Sequence, residues 1–152
     1  MDKLEYIPGD FISVYVGVKK YIVEVIGTEN ENEVLSYQIK FPNGEIQYAD
    51  KDNIVPIPLT PEILEKNGWN KSIGWSYVGS EERGYQFSKE LDDKWDELDR
   101  MTYGDLQICQ CENLRDWSYI NECNHYFRFE FTYVHELQHL LYALHIDSNL
   151  KI

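Results

Sequence analysis

The sequence predicts an α+β protein: a small SH3-like β-barrel over residues 1–59, then an antiparallel sheet with a packed C-terminal helix over 60–152, the two parts being also compatible with one compact unit. Three observations predict it. The first sixty residues divide into five short apolar runs separated by turn signals, the spacing of a small barrel. Phe127, Phe129 and Phe131 alternate with Arg128 and Glu130, the mark of a sheet with one buried face. Residues 133–145 then change to helical periodicity, with Val134, Leu137, Leu141 and Leu144 on one stripe.

Taken in order, Pro8-Gly9-Asp10 is a turn, and residues 11–16 form an apolar, β-branched first strand. Gly17 with Lys19-Lys20 turns the chain into a second strand over 21–26. Residues 27–33 read as a polar loop and 35–41 as a third strand. Asn43-Gly44 signals a two-residue hairpin in which both residues take positive φ. A fourth strand over 45–48 and a short fifth over 53–57 complete the set. Thr60 caps a helix, Pro61 occupies its first position, Glu62 complements the dipole and Gly68 ends it. Residues 69–87 read as strand and turn, and 88–100 as a charged segment able to form a short helix through Leu91, Trp95 and Leu98. Two strands, 106–111 and 126–131, flank a loop centred near Trp117, and Thr132 caps the last helix.

The net charge of −13 repels nucleic acid phosphate and anionic lipid, which argues against direct nucleic-acid binding. No segment reaches the roughly 18 apolar residues of a membrane span. The opening residues, Met1 to Tyr6, carry no apolar leader run, so a cytoplasmic protein with reduced cysteines is expected. The 12 Tyr residues suit half-buried sheet positions and contact surfaces. An aromatic contact face is expected around Trp69, Trp75, Tyr77 and Trp95, close to the acidic segment 90–99.

His135-Glu136-Leu137-Gln138-His139 has the H-E-x-x-H spacing of zinc hydrolases. There His135 and His139 would hold the metal, and Glu136 would act as base on its water. Three points weigh against that reading. Tyr142 stands where the longer pattern has Gly, so the helix is expected to continue, carrying His145 roughly 9 Å along the axis and about 240° around it from His139. None of the 13 residues after His139 is Glu. At about 100° per residue, both imidazoles fall opposite the leucine stripe and should face water. A weaker metal set is Cys109, Cys111, Cys123 and His125, which a hairpin centred on Trp117 would bring face to face. Neither set is adopted, and no cofactor is expected.

Pro56-Ile57-Pro58-Leu59-Thr60, with Leu64 and Gly68-Trp69, resembles the central segment of a family of small uncharacterised proteins of gut Bacteroidales, their phages and mobile elements. Tyr133-Val134-His135-x-Leu137-Gln138-x-Leu140, with Ala143-Leu144, resembles that family's closing helix. The resemblance covers roughly the second half of the chain. No activity is assigned to that family, and its members often carry Gln at the position of Glu136 and Asn at that of His139, so the resemblance implies that the motif is not a zinc-protease site. The expected function is therefore a non-catalytic interaction or accessory protein of a phage or mobile element, with a protein partner and with homo-oligomers left open. The alternatives are a zinc hydrolase using the 135–139 motif, and an acidic inhibitor that mimics nucleic acid to block a host protein.

Overall fold

The computed structural model describes residues 5–31, 34–76, 83–90, 105–111, 117–120 and 130–152. The chain is α+β and divides into two compact units. Unit 1 comprises Met1–Leu59 with Tyr133–Ile152, and unit 2 comprises Thr60–Thr132. The last helix thus belongs with the N-terminal strands rather than with the strands that precede it. Unit 2 is an insertion in the chain of unit 1. Within unit 1 the residues that flank the insertion are paired: Val134 N–H donates to the Ile57 carbonyl at 2.9 Å and Pro58 bridges Tyr133.

Unit 1 is built on a five-stranded antiparallel sheet. Strands β1 (Phe11–Val16), β2 (Lys19–Glu31), β3 (Val34–Lys40) and β4 (Ile46–Asp50) form a meander, and β5 (Ile54–Val55) returns to pair with β1. The order across the sheet is β4-β3-β2-β1-β5. One 3-10 turn, Lys51–Asn53, leads from β4 to β5. The β1–β2 turn is Gly17-Val18, closed by Val16 opposite Lys19, with positive φ at Gly17 alone. That is the two-residue turn with glycine at its first central position.

Two sequence readings are corrected here. Residues 27–31 are strand, not loop: β2 continues through Gly27, where a bulge shifts its register against β3. Polar residues are tolerated because an antiparallel sheet can present one face to water. The turn at Asn43-Gly44 is also longer than expected. Gly44 N–H donates to the Phe41 carbonyl and Phe41 N–H to the Glu45 carbonyl, and only Gly44 has positive φ. Pro42 fixes the first corner, which makes a three-residue loop ending in a glycine bulge.

The core of unit 1 sits on one sheet face and contains Ile12, Val14, Val23, Val25, Tyr37, Ile39 and Tyr6. Alternation on β1 and β2 places these side chains together, since Ile12 opposes Val23 and Val14 opposes Tyr21. Tyr37 is fully buried, packs edge-on against Tyr6, and its hydroxyl has no hydrogen-bond partner among the described residues. Removing an unsatisfied buried hydroxyl removes its desolvation cost, so Tyr37→Phe should raise stability by up to about 1 kcal/mol. The urea midpoint, with an unchanged slope, measures it.

Unit 2 opens with α1 (Pro61–Lys66), whose N-cap Thr60 accepts a hydrogen bond from Ile63 N–H. Gly68, at φ +78°, ends the helix as Trp69 N–H returns to the Leu64 carbonyl. Strands β6 (Asn70–Ser76), β7 (Arg83–Glu90), β8 (Asp105–Cys111), β9 (Trp117–Ile120) and β10 (Glu130–Phe131) form a second antiparallel sheet in the order β10-β9-β8-β7-β6. Trp117 lies in a strand instead of at a loop centre. Its ring is fully buried, edge-on to Phe87. Among the described residues, no helix is long and apolar enough to cross a membrane.

Candidate functional site

The residues of the H-E-x-x-H motif lie on α2 (Val134–Ala143), which packs on β1 within unit 1. The helix starts one residue later than the sequence suggests. Tyr133, not Thr132, is its N-cap, and Glu136 supplies the cap by accepting the Tyr133 N–H at 3.0 Å. This is one half of a capping box, and it occupies the carboxylate that a zinc hydrolase would need as base.

Both imidazoles were expected to face water, and this is corrected for His135, which is only 4% exposed. Its ring lies edge-on to Tyr6 at 4.8 Å between centroids, parallel to Tyr133 at 5.8 Å, and edge-on to His139 at 5.7 Å. Nδ1 of His135 has no hydrogen-bond partner among the described residues. Burial pushes its pKa below the ordinary histidine value. Asp10, Glu136 and Glu5 oppose the shift, and His139 adds to it. Burial likewise pushes the Tyr6 hydroxyl up, so it stays protonated beside these carboxylates.

His139 is half-buried, and its Nε2 lies 2.8 Å from Oδ2 of Asp10. Asp10 is itself buried and also accepts the Ile7 N–H at 2.8 Å, which closes the Pro8-Gly9 turn. Between the two histidines stands Gln138, 3% exposed. Its Oε1 accepts from Phe11 N–H, while Nε2 donates to the carbonyls of Gly9 and Ser148. One helix face therefore clasps residues 6–11 through a ring, an amide and an imidazole–carboxylate contact in succession. Among the described residues, no group of three or more His, Cys, Asp or Glu side chains is arranged to hold a metal ion.

The helix does not continue to His145. Ala143 is its last residue, Leu144 the C-cap, and His145 follows at φ +57°. Ile146 N–H returns to the Leu141 carbonyl at 2.8 Å and His145 N–H to that of Tyr142. A break was thus built without glycine, by a left-handed cap that costs a side chain about 1 kcal/mol. His145→Gly should therefore stabilise the protein by roughly 0.5–1 kcal/mol, readable as a higher melting temperature.

The hairpin on which the symmetric cysteine set was built has a different register. In the β8–β9 pairing Cys109 opposes Ser118, not His125, so the hairpin is centred ahead of Trp117. Cys123 and His125 lie outside the described residues, as does the side chain of Cys111. Of the expected aromatic face, Trp69 is buried at 3% exposure with the Lys89 ammonium 5.9 Å over its ring, so it packs inward. The side chain of Trp75, together with Tyr77, Trp95 and the segment 91–99, lies outside the described residues.

Sequence reasoning missed a different apolar surface. The β1–β2 hairpin exposes Tyr15 and Ile22 on the face opposite Ile12 and Val14, and Val16 and Tyr21 at the margin of the same face as those two, with Val18 at its tip 97% exposed. Lys19 and Lys20 are exposed beside them. Reading this hairpin as an ordinary core-facing strand pair hid it. The available signal was a valine in a two-residue turn, a position that polar residues usually fill. Comparison with protein families, curated proteins and solved structures gives no match.

Proposed function

We propose that the chain is a non-catalytic, protein-binding accessory protein of a phage or mobile element, whose first unit is an SH3-like barrel left open between β4 and β5. The observation that carries the reading is how the polar side chains of residues 135–139 are used. Glu136 caps its own helix, Gln138 binds backbone, His139 binds Asp10 and His135 is covered by tyrosine rings. A hydrolase would keep these groups convergent and open to substrate. The sheet order with β5 beside β1 is what a five-stranded barrel opened along one seam would give. The mobile-element origin rests on the resemblance of residues 56–69 and 133–144.

The contact surface in this reading is the β1–β2 hairpin. Val18 at the tip, with Tyr15 and Ile22 on the face away from Ile12 and Val14, supplies apolar area, and Lys20 lies opposite Tyr15. The partner is a protein, because the charge of −13 disfavours nucleic acid and anionic membranes. The test uses the whole chain as bait in a lysate of a Bacteroidales host, beside a Val16→Asp/Val18→Asp variant of unchanged melting temperature. A protein retained by the wild type and lost by the variant is the expected result. Equal retention, or none, counts against the hairpin. One zinc per purified chain, lost in His139→Ala, would refute the non-catalytic assignment.

A further inference from the structure

The cluster formed by Tyr6, Asp10, Tyr133, His135 and His139 has a use that partner binding does not require. It joins the last helix to the N-terminal segment of the same unit, and it does so around a buried imidazole whose Nδ1 has no partner among the described residues. A neutral ring fits that seat. A charged ring would need its second N–H satisfied, and Tyr6 and Tyr133 meet it with ring faces and edges instead of an acceptor.

We infer that the docking of α2 against residues 6–11 is an acid-sensitive latch, closed while His135 is neutral and released when it takes a proton. The titratable groups facing the ring come from two sides. The N-terminal segment brings Glu5, Tyr6 and Asp10, and the helix brings Tyr133, Glu136 and His139. Three of these are carboxyl groups, but none of them is a partner of the His135 Nδ1. Asp10 is engaged by Ile7 and His139, and Glu136 accepts the Tyr133 N–H. The 2.8 Å contact with Asp10 also holds the His139 ring 5.7 Å from that of His135.

The sign follows from linkage. Burial lowers the pKa of His135 in the docked form, while the released form keeps the ordinary value near 6.5. Above that value both forms are neutral and docking is unaffected. Below it the released form binds a proton that the docked form refuses, so release becomes more favourable by up to about tenfold per pH unit until the docked form titrates too.

Hydrogen exchange of the full-length chain at pH 7.5 and 5.0, corrected for intrinsic rates, tests this. Leu137, Gln138 and Leu141 amides should lose at least tenfold in protection at the lower pH. Amides of Val23, Val25, Tyr37 and Ile39 in the sheet should keep theirs. His135→Phe, which fills the seat with a ring that cannot titrate, should abolish the difference. If that variant does not fold, the ring proton of His135 in the wild type serves instead, titrating in step with helix exchange. Unchanged helix protection at pH 5.0 would overturn the latch, and so would simultaneous loss of protection in helix and sheet, which is global acid unfolding.

Discussion

Replacing Gln138 with leucine is expected to lower stability by about 3–5 kcal/mol, because three buried or half-buried backbone groups lose their partner at roughly 1–3 kcal/mol each, less where water can enter. The groups are Phe11 N–H and the carbonyls of Gly9 and Ser148. Leucine matches the volume, so the loss measures hydrogen bonding and not a cavity. Gln138→Glu sharpens the test. The new carboxylate keeps an acceptor for Phe11 but loses the donor for both carbonyls, and burial raises its pKa above the unfolded value. Its penalty should therefore be full at neutral pH and shrink as pH falls through that raised value, when the protonated carboxyl can donate again. Urea midpoints of both variants, taken against the wild type at each pH, separate this from the effect of His135. A loss below 1 kcal/mol for the leucine variant would show that the amide is not the clasp.

How much of this was legible in the sequence depends on the range of the contact. The helix α1 was readable residue by residue, since its cap, first proline and terminal glycine act within one turn. Strands β1 to β4 were readable from alternation, although the bulge at Gly27 was not, because a register shift belongs to the pair of strands and not to either alone. The helix α2 was half readable. Val134, Leu137 and Leu141 are buried as the period requires, but so are His135 and Gln138 on an adjoining side of the helix. Both are accommodated by residues more than 120 positions away: Gln138 bonds the backbone of Gly9 and Phe11, and the His135 ring packs against Tyr6. Helical periodicity alone therefore places His135 in water. The same distance separates the helix from its partners: they precede the insertion, while its neighbours in sequence lie within it.

Asp10→Ala is expected to cost about 2–4 kcal/mol, since it leaves Ile7 N–H and the His139 ring nitrogen without their common acceptor in a buried place. His139→Ala should cost less, about 1–2 kcal/mol. His139 is 31% exposed, so water can take over part of its role, and Asp10 would still hold Ile7. The informative quantity is the coupling. If the two side chains stabilise the fold through each other, the double variant should be less destabilised than the sum of the single ones by roughly 1–3 kcal/mol. Additivity within about 0.5 kcal/mol would mean that the pair is incidental. A coupled pair would instead tie the second histidine of the motif to the Pro8-Gly9 turn. Any chemistry assigned to His139 would then require breaking the bond that closes the N-terminal segment on the helix. The same variants bear on the latch: without Asp10 the helix loses its contact with the Pro8-Gly9 turn, docking is weaker at every pH, and the helix should release at a higher pH than in the wild type.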